Sequence, residues 1–229
     1  MLKLSPDNLR KMSVEMFVKV GVPIQEANLV ADHLVDSDMF GHDTHGVLRL
    51  PQYIDMVTDG TVTPGAPLRI IKDFGFSARL SGGWNFGPVS AARAMEFALE
   101  KLSSGAAMSV VTVRDCNHIA RLGRFVSIAA RNDAIAIMTA NGHGGDLAVA
   151  PFGGVDRRLP TNPIAVGVPT GLDWPVVLDM TTSMISGGDL RLLRNKNELA
   201  PLTSIIDALG NPTRDTKGFY GPPRGAILP

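Results

Sequence analysis

The chain has one cysteine in 229 residues, no excess of either charge, and no apolar run near the ~20 residues that a membrane-spanning helix needs. Each shortage closes off a class of protein. A single thiol, Cys116, cannot form an internal disulfide and agrees with a reducing compartment. Lys and Arg number 22 and so do Asp and Glu, with no basic run, so an extended surface for nucleic acid or anionic membrane has no electrostatic basis. The start, Met-Leu-Lys-Leu-Ser-Pro, lacks an apolar h-region, which makes the cytoplasm the expected location. Internal repeats and low-complexity tracts are also missing. What is present is ordinary: 45% hydrophobic and 19% charged residues, enough to bury a core in one or two domains. The expected partners are small molecules and further copies of the chain, as a homodimer.

The pattern along the chain predicts helices first. Ser5-Pro6 is an N-cap followed by a first-turn proline, and Leu9, Met12, Phe17 and Val20 make a stripe that Gly21 ends. Pro23 to Val35 repeats the design with Ala27, Val30, Ala31 and Leu34 on one face, and Arg49 to Val57 is expected to be a further helix carrying Arg49 and Tyr53 on one surface. Asp59-Gly60 and Pro64-Gly65 then break the chain. The expected organisation is a helical N-terminal part over residues 1–65 and an α/β domain over 66–229. In the latter, Met108–Val113 and Ala134–Thr139 read as strands joined by a helix at Leu122–Arg131, a crossover unit, while 164–168 and 175–179 read as further buried strands. Glycine-rich turns at 82–83, 142–145 and 153–154 separate them.

One short stretch, Gly41-His-Asp-Thr-His-Gly-Val-Leu-Arg-Leu-Pro-Gln-Tyr53, concentrates chemistry, with two of five histidines, an acid and an arginine. Arg49 can hold a carboxylate by parallel charge-assisted hydrogen bonds, and His45, four residues away, titrates near neutrality and can move a proton. Three further motifs follow: Asn117-His118-Ile-Ala-Arg-Leu-Gly123; Ala150-Pro-Phe-Gly-Gly-Val-Asp-Arg-Arg-Leu-Pro-Thr-Asn-Pro-Ile-Ala165; and Val177-Leu-Asp-Met-Thr-Thr-Ser183. Their identity and order resemble the malate/L-lactate dehydrogenase family, type 2 enzymes that also include ureidoglycolate and diketogulonate dehydrogenases or reductases. The resemblance runs the length of the chain and loosens after Ser183.

This resemblance implies a mixed-sheet, non-Rossmann α/β fold, consistent with the absence of a Gly-x-Gly-x-x-Gly that follows a strand and opens a helix. It implies hydride transfer between a nicotinamide cofactor, NAD or NADP, and a small 2-hydroxy or 2-keto acid. Removing hydride from the carbon requires a base within reach of the hydroxyl. The resemblance offers both His118 and His45 as acid/base, with His118 placed first, Arg49 as carboxylate clamp, and Thr161 and Asn162 lining the site. It assigns cofactor contacts to Asn141, Asp179, Met180, Thr181, Thr182 and Ser183, whose hydroxyls and backbone N–H groups could hold diphosphate or ribose. The bland alternative for Thr-Thr-Ser after a strand is a helix cap.

Other candidates have blander readings. His42 and His45 lack the partners of a zinc site, so no metal is expected. His33 and His143 are expected at the surface or in loops, Asp36 and Asp38 at a solvated helix end, Arg157-Arg158 in a solvated turn, and Cys116 as a small buried thiol. Two departures from the family pattern stand out. Ser186-Gly-Gly-Asp189 has an acid where a lysine is usual, and the chain ends at Gly225-Ala-Ile-Leu-Pro229, where the family continues into a further C-terminal part. The alternative to an active oxidoreductase is therefore a catalytically impaired fragment or a non-enzymatic remnant of the same fold.

Overall fold

The structure is a computed structural model and describes residues 4–142 and 147–229; His143 and most of the 142–145 turn lie outside the described residues. The chain folds as two compact units, Met1–Ala136 with Gly167–Val177, and Ile137–Val166 with Leu178–Pro229. The chain break expected near residue 65 lies inside the first unit.

Helix α1 spans Pro6–Lys19, and the Ser5 hydroxyl accepts the Asn8 N–H at 3.2 Å as its N-cap. Gly21 follows at φ 90°, a left-handed turn that suits a residue without Cβ. Helix α2, Ile24–Met39, buries the anticipated face completely: Ala27, Val30, Ala31 and Leu34 are each 0% exposed. Two single 3₁₀ turns, Asp43–His45 and Val47–Arg49, lead into α3, Leu50–Thr58, so Arg49 stands at the helix entrance instead of within it. The apolar faces meet in a core of Phe17, Val30, Leu34, Leu50, Tyr53, Phe86 and Val89, with the Phe17 and Phe86 rings edge to face at 5.7 Å. Met12, expected in the α1 stripe, is 41% exposed, and Ser13 takes the buried place because a 3.6-residue period favours the position four before Phe17.

The first sheet consists of β1, Arg69–Asp73, β2, Ser77–Ser81, and, after helix α4 at Gly87–Ser103, β3 at Val110–Arg114. Strands β1 and β2 are antiparallel and β2 and β3 parallel, which makes the sheet mixed. The crossover unit is therefore β2–α4–β3. Helix α5, Gly123–Ala130, and strand β4, Ala136–Thr139, occupy the expected places, but β4 belongs to another sheet, of order β4-β5-β6 with β5 at Ile164–Val168 and β6 at Val176–Met180. The expected crossover from β3 to β4 is thus corrected: strand pairing is decided by non-local hydrogen bonds that an apolar run does not encode. The expectation that 175–179 is buried is corrected too, since Val176 is 62% and Leu178 46% exposed on a strand at the end of its sheet.

In the second unit, α6 covers Gly187–Lys196, and a small antiparallel sheet joins β7, Ile205–Ile206, to β8, Pro212–Thr213, and, after helix α7 at Thr216–Tyr220, to β9, Ala226–Ile227. Its core is Val149, Ile185, Leu190, Ile205, Phe219 and Ile227. Arg157, expected in a solvated turn, donates to the Phe219 and Gly225 carbonyls and lies over the Phe219 ring, fastening this core, whereas Arg158 pairs at the surface with Asp156. Asp189 finds its use in α6: its N–H meets the Ser186 hydroxyl at 3.0 Å, and its carboxylate sits in the first turn, where the helix dipole favours an anion.

A buried carboxylate ties the first unit together. Glu26, 4% exposed, accepts from Asn85 Nδ2 at 2.9 Å and Arg93 Nη2 at 2.8 Å through one oxygen, and from the Gly65 N–H at 2.8 Å through the other. Removing it strands three donors at once. Glu26→Ala is expected to destabilise the protein by about 2–3 kcal/mol, the cost of leaving buried donors without their acceptor, read as a lower urea midpoint at unchanged slope. A loss under about 1 kcal/mol would show that the network is not holding these elements together.

Candidate functional site

Strand β3 ends at Arg114, and the next residues turn sharply, with Asp115 at φ 52° and Ala120 at φ 63° bracketing the segment that presents His118. Asn117, 4% exposed, anchors this segment by donating from Nδ2 to the Trp84 carbonyl at 2.7 Å and those of Thr61 and Asn85 at 3.1 and 3.2 Å. A Cβ at Gly87, in the first turn of α4, would lie 2.2 Å from the His118 carbonyl oxygen, so only glycine allows this approach.

His45 and Arg49 are set by a second device. Asp38, near the end of α2, accepts the Val47 N–H at 2.9 Å, and its carboxylate fills the space that a Cβ at Gly46 would need, 1.6 Å from Oδ1. This pins the turn between the two 3₁₀ segments. The expected solvated helix end is thereby corrected: Asp38 is a buttress whose pKa burial raises, and Asp36 pairs with Arg10 and Arg124. Arg49 donates from Nε to the Thr44 carbonyl at 2.7 Å and from Nη1 to Gln52 Oε1 at 2.8 Å, which orients the guanidinium plane.

The folded chain brings these pieces together. The His45 and His118 rings lie parallel, 5.7 Å apart with an interplanar angle of 7°. Tyr53, one turn beyond Arg49 on α3, places Oη 2.9 Å from His118 Nδ1. Its ring is 1% exposed within the helical core, and burial raises the phenol pKa so that it stays protonated. Burial first, and then the neighbouring Arg49 and His45, lower His118 to about 3. His118 is therefore neutral at physiological pH, and opposite charge introduced beside Arg49 would restore its affinity for a proton.

His33, expected at the surface, is corrected to a core residue at 0% exposure. Its Nε2 accepts the Arg121 N–H at 3.1 Å and its ring packs 5.3 Å from Phe125, so helix α2 carries a buried, neutral imidazole whose pKa falls well below 6.5, chiefly by burial. Cys116 is partly buried, and burial pushes its thiol up to about 11, an inert state.

In the second unit, Thr161, Asn162 and Thr181–Ser183 also come together. The Thr181 hydroxyl donates to the Thr161 carbonyl at 2.9 Å, that of Thr182 contacts the Asn162 carbonyl at 3.0 Å, and that of Ser183 donates to the Ile185 carbonyl at 3.0 Å. The Thr182 and Ser183 N–H groups bond to the Thr161 carbonyl and to Thr181 Oγ1. In the folded chain these donors bond to the polypeptide and fasten residues 161–162 to the end of β6. Asn141 is exposed, as are Met180 and Thr182, and Asp179 is half-buried. Among the described residues no group of three or more His, Cys, Asp or Glu could hold a metal ion, and no helix is long and apolar enough to cross a membrane.

Tyr53 and Asp38 are the participants that residue patterns left out of the site. Tyr53 sits one helical turn from Arg49, which was a usable signal; nothing local to Asp38 announces its contact nine residues later.

The helical lead-in, the mixed sheet and the paired histidines define a chain of the non-Rossmann α/β class, and comparison with known proteins gives the class its family. A profile of the malate/L-lactate dehydrogenase family matches residues 4–229, and the chain belongs to that family. It is 35% identical over 228 residues to L-sulfolactate dehydrogenase of Methanothermobacter thermautotrophicus, covering 100% of this chain and 64% of that protein. Malate dehydrogenase of Pyrococcus abyssi is 35% identical over 228 residues, 100% of this chain and 61% of the relative. L-lactate dehydrogenase of Cupriavidus necator is 34% identical over 230 residues, 100% of this chain and 65% of the relative. The solved structure of a putative malate/lactate dehydrogenase from E. coli superposes with a TM-score of 0.94 at 30% identity, over 100% of this chain and 63% of that one. The chain thus spans under two thirds of the length of these relatives.

Two neutral histidines, His33 buried and His118 partly buried, set an acid limit on stability. In the unfolded chain each takes up a proton near pH 6.5, whereas in the folded chain His118 does so only near 3 and His33 well below its ordinary value. Between those values the unfolded state binds more protons, so stability is complete above about pH 6.5 and is lost as pH falls toward 3. Urea midpoints at pH 7.5 and 5 should show the decline, and His118→Gln should flatten it; equal midpoints would mean that neither imidazole is held neutral.

Proposed function

We propose that this chain carries the proton-transfer and substrate-binding half of a 2-hydroxy-acid dehydrogenase, with NAD or NADP as the hydride partner. The observation that carries the reading is the stacked pair of His45 and His118 beside Arg49, with Tyr53 bonded to His118. In the oxidative direction, a 2-hydroxy acid places its carboxylate at the Arg49 charge and its hydroxyl at His118, which takes the hydroxyl proton as the carbon gives up hydride. The nicotinamide, when bound, accepts that hydride. His45 is the second hydrogen-bonding group to the same small molecule.

The electrostatics give this arrangement a direction. Without substrate, burial first and then the neighbouring Arg49 and His45 keep His118 unprotonated and therefore able to take a proton. A bound carboxylate offsets the Arg49 charge and raises the proton affinity of the imidazole, so the substrate itself makes proton uptake favourable. Malate, lactate and sulfolactate, the acids in the relatives' names, all present a carboxylate next to the carbon bearing the hydroxyl, so they share the chemistry that Arg49 and His118 would recognise.

Binding and turnover test the reading. Titration with pyruvate or oxaloacetate should show roughly ten- to hundredfold weaker binding for Arg49→Lys, since lysine keeps the charge but lacks the planar fork held by Thr44 and Gln52. Thermal stability should change little. Equal affinities in both variants would remove Arg49 from the site, and failure of the protein to turn over malate, lactate and sulfolactate with either nicotinamide would remove the proposed activity.

A further inference from the structure

Tyr53 Oη has two contacts with a single residue, 2.9 Å to the ring Nδ1 of His118 and 3.4 Å to its backbone carbonyl oxygen. The phenol has one proton and the carbonyl can only accept. When the hydroxyl donates to the carbonyl, its lone pair faces Nδ1, and that nitrogen must be the donor. Nδ1–H then leaves Nε2 with the lone pair. Hydroxyl oxidation needs that arrangement, because a proton arriving at Nε2 requires a vacant nitrogen there.

The charged state makes the same demand more strictly. An imidazolium carries hydrogen on both nitrogens, so its Nδ1–H must donate to Oη and the phenol proton must turn to the carbonyl. An oxygen already placed in this way needs no rearrangement as His118 gains and loses its proton. Histidines that act as acids or ligands commonly have a carboxylate or backbone carbonyl at the second nitrogen. Here a buried neutral phenol occupies that side, its ring fixed in the core with Phe17, Leu50 and Phe86.

We infer that Tyr53 is a positioning residue which selects the Nδ1–H tautomer of His118 and serves as the acceptor for its imidazolium. The inference rests on reading His118 as the proton carrier. Tyr53 itself contacts neither substrate nor cofactor in this scheme; it decides which nitrogen of His118 is available to them. The carbonyl that completes the relay is held by the close packing of the His118 backbone on Gly87.

Imidazole ¹⁵N NMR of the uniformly labelled protein at neutral pH tests this without any turnover, with His118→Gln identifying the signals. The expected wild-type result is a protonated Nδ1 and an unprotonated Nε2 on His118, and in Tyr53→Phe, which keeps the packed ring, a return toward the Nε2–H form that isolated histidines favour. A wild-type Nε2–H signal overturns the inference by itself, and so does an unchanged tautomer in Tyr53→Phe. In turnover of a 2-hydroxy acid, Tyr53→Phe should lower kcat by about ten- to hundredfold with KM little changed, the value of a hydrogen bond to a charged group. The acid limb of its pH–rate profile should move to lower pH, because the imidazolium has lost its acceptor. A drop in kcat without that shift assigns Tyr53 a purely structural part and overturns the inference. If the spectra follow expectation while no 2-hydroxy acid is bound or oxidised, the proposed function falls and the tautomer assignment stands.

Discussion

The arrangement depends on one close approach, that of the backbone at Asn117 and His118 to the first turn of α4. Gly87 permits it by having no side chain, and Asn117 fixes it by donating to the Trp84 and Asn85 carbonyls just before that turn and to the Thr61 carbonyl. A loop held by a single contact would let His118 swing by more than proton transfer tolerates, since catalytic geometry is sensitive at the ångström level. With the backbone clamped there, the ring stacks on His45 and meets Tyr53.

That placement creates an electrostatic problem which the site puts to use. Two imidazoles and a guanidinium in a partly buried space repel further positive charge, and the cheapest response is for His118 to remain neutral. A protein surface would screen this effect; here burial is its largest cause. The same burial that lowers the histidine raises Tyr53, so the pair stays neutral and hydrogen-bonded across the pH range in which a carboxylate substrate is ionised. The turn bearing His45 and Arg49 adds its own constraint, since Gly46 yields its Cβ space to the Asp38 carboxylate.

The second unit uses polar groups differently. Its hydroxyl-rich segment after β6 is occupied with holding residues 161–162, and Arg157 spends its guanidinium on carbonyls and an aromatic face in the small core. Polar residues that look like ligands in a sequence can therefore be internal fasteners, because a buried carbonyl without a donor costs as much as a lost hydrogen bond.

The sequence by itself determined the local elements and the concentration of chemistry. The cap at Ser5-Pro6, the stop at Gly21 and the four-residue spacing of Ala27, Val30, Ala31 and Leu34 specify α1 and α2, since helix capping and periodicity are properties of a dozen neighbouring residues. The motifs around His45, Arg49 and His118 likewise stood out before any fold was known, and their family followed from them. Only the tertiary structure decided that β3 pairs with β2 and not β4, that His33 is buried, that Asp38 supports Gly46, and that Tyr53 reaches a histidine 65 residues away. Each of these depends on which distant surfaces exclude water together, a property of the packed chain that no local pattern encodes.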